Sequence, residues 1–316
     1  MKSAIIICQL ASICLLSRAA AFAPAATTYS VHSSRPSCSL AAKDGNNNDD
    51  FISTVASALD GVVSGVTGLF PTTLLAASNN NNKGNKVLVL GGTGFVGSRV
   101  VQQLESLGVT VVATSTDGRD GTVALDFTQQ DPTAMQQTVQ KLAKGSVAVV
   151  SCIGAIGTDN DKAINAGTGY AVQAAKKAGV DRFVYISVAP EVKEFAQDFD
   201  FLKDYLEGKS FSQDTIESTA SLYTIIQPTF IHGGDEFKIN PPRVAGFYGS
   251  FVEAVLSSGP LRALMNVAPE GFIKIALKPP VSVDAVAQAA VAGALGEVDD
   301  KFLDTYDKIK ETAALL

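Results

Sequence analysis

Lys86-Val87-Leu88-Val89-Leu90-Gly91-Gly92-Thr93-Gly94-Phe95-Val96-Gly97 is the stretch that decides the fold. The apolar run Val87 to Leu90 has the length of a buried strand and passes directly into a turn built on spaced glycines. Val100, Val101, Leu104 and Leu107 then recur on one helical face, and Gly108 closes that helix. Val109 to Ala113 supplies a second strand. A strand, a glycine turn and a helix within one βαβ unit predict N–H groups gathered at a helix N-terminus, where a diphosphate is held. Glycine is needed there because the backbone must turn tightly and approach the ligand without a Cβ. Gly91, Thr93, Gly94, Phe95, Val96 and Gly97 are therefore the expected phosphate-binding turn of a dinucleotide site.

Outward from that turn, strands and helices alternate. Thr122 to Leu125 ends at Asp126, a position suited to meet adenine. Val147 to Val150 ends at Ser151, Cys152, Ile153 and Gly154, and Asn165 to Ala178 reads as an alanine-rich helix stopped by Gly179. Phe183 to Ile186 ends at Ser187. This order predicts an α/β fold, a Rossmann-type doubly wound parallel sheet with ligands at the carboxyl ends of its strands. The domain is expected over residues 86–316, with a small C-terminal lobe at about 235–280. An NAD site wants an acid at the end of the second strand, for the ribose 2′-OH. Ser115 stands there, and Arg119 follows with the charge and fork geometry for a 2′-phosphate. NADP is the expected cofactor; Asp117 keeps NAD open.

Tyr205 and Lys209 lie four apart in a helix expected over Asp204 to Ser218, so they share a face. A lysine charge about 4 Å from a phenol is worth about 4 kcal/mol at an effective dielectric of about 20. That predicts a Tyr205 hydroxyl brought below its ordinary value of about 10 and able to exchange a proton. Ser187 would hydrogen-bond a substrate carbonyl. The bland alternative is that Tyr205 packs and Lys209 is solvated. Tyr306 and Lys310 repeat the spacing in the C-terminal tail and read as a solvated helix.

Composition narrows the classes. Of 316 residues, 46% are apolar and 18% charged, which suits a chain that buries a core. Net charge is −6, and since residues 1–43 carry four basic groups and no acid, the rest carries −10. So acidic a body offers no footprint for nucleic acid. Cys8, Cys14 and Cys38 lie in the leader, leaving Cys152 alone, and His232 is the one histidine beyond it. No internal disulfide, His-based zinc site or Ser-His-Asp triad is expected. Lys2, the apolar run Ile5 to Leu16 and Ala19-Ala20-Ala21 read as a signal peptide over 1–21. The hydroxyl-rich, acid-free residues 22–43 read as a transit peptide. The junction Ala20-Ala21-Phe22-Ala23-Pro24 resembles the bipartite presequence of algae with complex plastids, which implies a plastid destination. Over 44–85, Ile52, Val55, Leu59, Val62, Val66 and Leu69 form an apolar stripe ahead of an Asn-rich linker. The stripe fits peripheral contact with a membrane or lipid particle, or docking on the protein itself.

The glycine turn, "AAKKAGVDRFVYIS" (Ala174 to Ser187), the Tyr205/Lys209 pair, "YTIIQPTFIHGG" (Tyr223 to Gly234) and "PPVSVDAVAQAAV" (Pro279 to Val291) resemble an atypical short-chain dehydrogenase/reductase. They are most similar to chloroplast, plastoglobule-associated members related to the NADPH-binding accessory subunit of respiratory complex I and to a coenzyme Q biosynthesis factor. The resemblance implies that Gly91, Gly94, Gly97, Asp126, Asn165, Ser187, Tyr205, Lys209 and Pro228 surround the nucleotide. It also implies quinone or isoprenoid-lipid chemistry. Gln227 departs from the arginine, and His232 from the tyrosine, frequent in such relatives; His232 reads as a packed or capping residue. Phe237, Phe247, Tyr248, Phe251, Leu261, Leu264 and Met265 make the lobe either a lid over an apolar substrate or an ordinary small core. Two functions follow. One is an NAD(P)H-dependent oxidoreductase or isomerase acting on an apolar carbonyl, with Ser187, Tyr205 and Lys209 catalytic. The other is a non-catalytic NADPH-binding subunit or redox sensor. A nucleotide-sugar epimerase is disfavoured by the apolar lobe.

Overall fold

The computed structural model describes residues 85–128, 131–196, 199–234, 238–239, 242–243, 246–267 and 272–316. The expected signal peptide (1–21), the expected transit peptide (22–43) and the apolar stripe at 52–69 lie outside these residues.

The strands are β1 (Lys86–Leu90), β2 (Thr110–Ser115), β3 (Val123–Ala124), β4 (Ala148–Ser151), β5 (Arg182–Ile186), β6 (Leu222–Ile226), β7 (Ile231–His232), β8 (Lys238–Ile239), β9 (Pro242–Arg243), β10 (Val281–Ser282) and β11 (Phe302–Leu303). The helices are α1 (Gly97–Ser106), α2 (Pro132–Ala143), α3 (Asp161–Lys177), α4 (Pro190–Ala196), α5 (Lys203–Thr219), α6 (Gly246–Leu256), α7 (Gly259–Val267), α8 (Phe272–Ala276), α9 (Val283–Leu295) and α10 (Tyr306–Ala313). Seven strands form one sheet in the order β11-β6-β5-β4-β1-β2-β3, with every pair parallel. The Rossmann-type doubly wound architecture is therefore present. The order reverses at β1, which has β2 on one side and β4 on the other. That reversal opens a crevice at the strands' carboxyl ends, where the glycine turn lies.

Residue alternation builds both layers. Val87 and Val89, with Val150, Val184 and Ile186, pack against Val100 and Leu104 of α1 and against α9. Leu88 and Leu90, with Val149, Phe183 and Tyr185, pack against α2, α3 and Ile216 of α5. Burial on both faces is why these strands read as unbroken apolar runs. The alanines of α9 are buried because that helix seats closely on the sheet, where a Cβ on Gly293 would lie 3.2 Å from Val184. Ser282 caps its start by accepting from Ala285 N–H, and Gly296 ends it at φ 89°.

Within the lobe, β8 and β9 pair antiparallel, and α6, α7 and α8 come after them in the chain. Val252, Leu256 and Ile275 are buried, whereas Phe251 is 47% exposed, so the segment is part core and part open apolar surface.

The solvated reading of Tyr306 and Lys310 is corrected. Tyr306 Oη donates to Glu253 Oε1 at 2.8 Å and Lys310 Nζ donates to the same oxygen at 3.1 Å. His232 Nε2 meets Glu253 Oε2 at 2.6 Å. Burial opposes a charge on Glu253, yet the hydrogen bonds from His232 and Tyr306 and the Lys310 ammonium hold it down at about 2. His232 is packed, as expected. A Cβ on Gly249 would lie 2.1 Å from its Cβ, so α6 crosses β7 at closest approach. The spacing of Tyr306 and Lys310 is thus used to fasten α10 to α6.

Candidate nucleotide and active site

The glycine turn is a cradle that side chains would fill. Gly91 has φ 77°, a conformation that favours glycine, and a Cβ there would lie 3.3 Å from the Cys152 carbonyl oxygen. A Cβ on Gly97 would lie 2.1 Å from the Gly91 oxygen, and one on Gly94 3.1 Å from it. The Gly94 N–H donates to that same oxygen at 3.0 Å and closes the turn. α1 starts immediately after, with no side-chain cap and no acid in its first turn. Its positive end is left for an anion.

At the end of β2, Ser115 is buried. Its hydroxyl bonds Thr122 at 2.7 Å and accepts the Gly118 N–H at 2.9 Å. Ser115 therefore shapes the turn, and its hydroxyl does not face outward. Arg119 reaches back across the glycine turn, with Nε 3.4 Å from Thr93 Oγ1, and also lies 3.8 Å from the Asp117 carboxylate. Asp126 accepts from Thr128 N–H and Oγ1 at 2.8 and 2.7 Å, fixing the bend after β3.

Ser151, expected beside the cofactor, is fully buried with its hydroxyl 2.7 Å from Thr168 Oγ1. It ties β4 to α3 because its side chain falls on the helix-covered face. The loop beyond it is held by Asp161, a residue that motif reading passed over. Asp161 accepts from Gly157 N–H at 2.6 Å and from Thr158 N–H at 2.9 Å. Thr158 standing three residues ahead of an acid at a helix start was the available signal. Asn165 Nδ2 donates to Ala155 O and Asp161 O, each at 2.7 Å, and its buried Oδ1 has no partner. Gly154 keeps this floor open, since a Cβ there would lie 3.3 Å from Lys209 Nζ and 3.8 Å from Asn165 Oδ1.

Tyr205 and Lys209 are both on α5, as the spacing requires. α5 can approach α3 because of Gly208, where a Cβ would lie 2.7 Å from Asn165 Cβ. Lys209 is buried rather than solvated, and its Nζ donates to Ile153 O at 3.1 Å and Ile186 O at 3.0 Å. Burial, aided by the like charge of Lys193, takes it down to about 7. The expected lysine-lowered Tyr205 is not what the fold produces. Lys209 Nζ stands 5.9 Å from the Tyr205 ring centre, and burial, with the Asp161 carboxylate, pushes the hydroxyl above the ordinary phenol range. Ser187, just past β5, is 7% exposed with no partner for its hydroxyl, and its N–H donates to Ile226 O at 2.8 Å. Pro228 is buried, and its oxygen accepts from Ala189 N–H at 3.2 Å. Burial pushes the Cys152 thiol up to about 12, which disfavours the reactive thiolate.

A bare-backbone cradle at a helix start, an arginine across it and unpartnered buried polar atoms at Ser187 and Asn165 fit a pyridine dinucleotide. The chain belongs to the NAD(P)H-binding family. Residues 91–245 match the family model described as NAD(P)H-binding. Over 241 residues the chain is 31% identical to an uncharacterised chloroplastic protein of Arabidopsis thaliana, covering 73% of this chain and 78% of that one. Among solved structures, the oxidoreductase ylbE of Lactococcus lactis is 26% identical with a TM-score of 0.39, over 48% of this chain and 71% of that one. The Bordetella bronchiseptica enzyme WbmH, solved with NAD+, is 20% identical with a TM-score of 0.45, over 67% and 72%.

Proposed function

We propose that this protein is a plastid NADP(H)-dependent reductase or isomerase of apolar carbonyl compounds, of the quinone or isoprenoid-lipid class. The observation that carries the reading is the unpartnered, buried Ser187 hydroxyl at the end of β5, in the chain segment that leads to Tyr205. A bound nucleotide would supply or accept the hydride. Ser187 donates a hydrogen bond to the substrate carbonyl, Tyr205 moves the proton on the substrate oxygen, and Lys209 holds the nucleotide ribose. Tyr205 needs its proton to act as an acid, and its raised hydroxyl supports that direction.

An apolar substrate is supported by a run of rings between Ser187 and Tyr205. Phe195 and Phe199 lie 5.3 Å apart, Phe199 and Phe201 6.0 Å, and Phe201 is 43% exposed. Phe230, just past Pro228, is also 43% exposed. The plastid assignment draws on the acid-free leader and on the chloroplastic relative. Peripheral contact with a lipid particle would belong to the stripe at 52–69.

Tyr205→Phe tests the chemistry. With a screen of quinones and isoprenoid carbonyls identifying a substrate, turnover is expected to fall at least about a hundredfold while NADPH affinity stays within about twofold. Unchanged turnover removes Tyr205 from the reaction. NADP preference rests on Arg119 lying across Thr93. Arg119→Ala is expected to weaken NADPH about tenfold to a hundredfold and leave NADH nearly unchanged. Equal loss for both nucleotides argues against a 2′-phosphate contact.

The second reading, a non-catalytic NADPH-holding subunit, is favoured by the two carbonyls that engage Lys209 and by its distance from Tyr205. It predicts tight nucleotide binding with no substrate-dependent oxidation.

A further inference from the structure

We propose that Tyr185 is a positioning residue that sets the charge of Lys209 through the face of its ring. Its consequence for the nucleotide rests on the reading that Lys209 lines the site. Tyr185 is fully buried in β5, and Lys209 Nζ stands 4.8 Å from its ring centre, closer than to Tyr205 at 5.9 Å. A cation within about 6 Å of an aromatic face is attracted by the ring quadrupole, most strongly where water is excluded. Burial holds the Tyr185 hydroxyl well above the phenol range, so the ring stays neutral and acts through its face alone.

The ring adds to the two carbonyl oxygens of Ile153 and Ile186, which favour the ammonium as the stronger donor. Facing the ammonium are Cys152 from the end of β4, Tyr185 from β5, Lys193 from α4 and Tyr205 from its own helix. Lys193 repels it, the Cys152 thiol stays protonated at neutral pH, and Asp161 acts on Tyr205. Among the described residues, no carboxylate pairs with Lys209. Two carbonyl oxygens hold the amine in place in either protonation state. A group brought to about 7 is half charged near neutrality. A modest attraction from the ring therefore decides whether the ribose-facing amine is a cation.

The test is a titration of the full-length protein without nucleotide, followed by the 13Cε shift of labelled lysine. The Lys209 signal is assigned by its loss in Lys209→Met. Tyr185→Phe keeps the face and is expected to move the midpoint by less than about 0.3 unit. Pentafluorophenylalanine at position 185 keeps the volume but reverses the quadrupole, and Tyr185→Leu removes the ring. Both are expected to lower the midpoint by about one unit, a tenfold loss of proton affinity. A midpoint that stays or rises with fluorination overturns the proposal, as does a Tyr185→Phe shift equal to that of the fluorinated ring. Fluorination gives the answer even where the leucine variant fails to fold. NADPH binding measured in parallel separates the two ideas. A failed ring effect leaves binding intact, and failed binding leaves the titration intact.

Discussion

Gly97→Ala is expected to abolish nucleotide binding and to lower unfolding stability by about 3 kcal/mol. The added Cβ would lie 2.1 Å from the Gly91 carbonyl oxygen and 2.9 Å from its carbon. Both are main-chain atoms, so no side chain can rotate away. Moving the Gly91 oxygen would break the 3.0 Å bond from Gly94 N–H that closes the turn, and would lever α1 off β1. Gly94→Ala provides the contrast. Its Cβ would lie 3.1 Å from the same oxygen, a crowding that a shift of a few tenths of an ångström relieves. That variant is expected to fold but to lose at least about tenfold in nucleotide affinity, because the methyl occupies the approach to the cradle. Chemical denaturation and calorimetric titration of both variants check the pair. Normal stability in Gly97→Ala would mean that the helix and strand are not in contact at this point.

Lys209→Met is expected to weaken NADPH binding about tenfold to a hundredfold, the worth of one charge-assisted hydrogen bond. It also has a stability signature whose sign is fixed. Burial takes the folded value to about 7, whereas a lysine in the unfolded chain titrates at about 10.4. Between those values the unfolded chain binds a proton that the folded chain has released. Wild-type stability therefore gains about 1.4 kcal/mol per pH unit from this group as pH rises from 7. Below pH 7 both states are charged and the full cost of burying the ammonium is present. Methionine carries no such cost, although it leaves two carbonyls without their donor. The stability of Lys209→Met minus that of wild type is expected to fall by about 2–3 kcal/mol between pH 7 and pH 9. Denaturant midpoints at those two pH values measure it. A constant difference would place Lys209 in water.

The βαβ unit was legible in the sequence because each of its parts is local. An apolar run, a glycine turn and a helical stripe lie within a few turns of chain. β11 was not legible, since two residues give no periodicity and the strand exists only by pairing with β6. Tyr205 and Lys209 could be placed on one helix face from spacing alone. Their electrostatics could not, because the carbonyls that hold Lys209 come from Ile153, in the loop after β4, and from Ile186, at the end of β5. The misreading of Tyr306 and Lys310 has the same cause, as their partner Glu253 is more than fifty residues away. Ser151 shows a further limit. Position after a strand brings a residue to the ligand edge, but which face its side chain takes is set by the register with Leu90 and by Thr168 beneath it.

Calorimetric titration of NADPH and of NADH into the full-length protein tests the dinucleotide cradle most directly. Saturable binding of NADPH is expected, at least about tenfold tighter than NADH and lost in Gly97→Ala. Heat from neither nucleotide, or undiminished binding by Gly97→Ala, would contradict it.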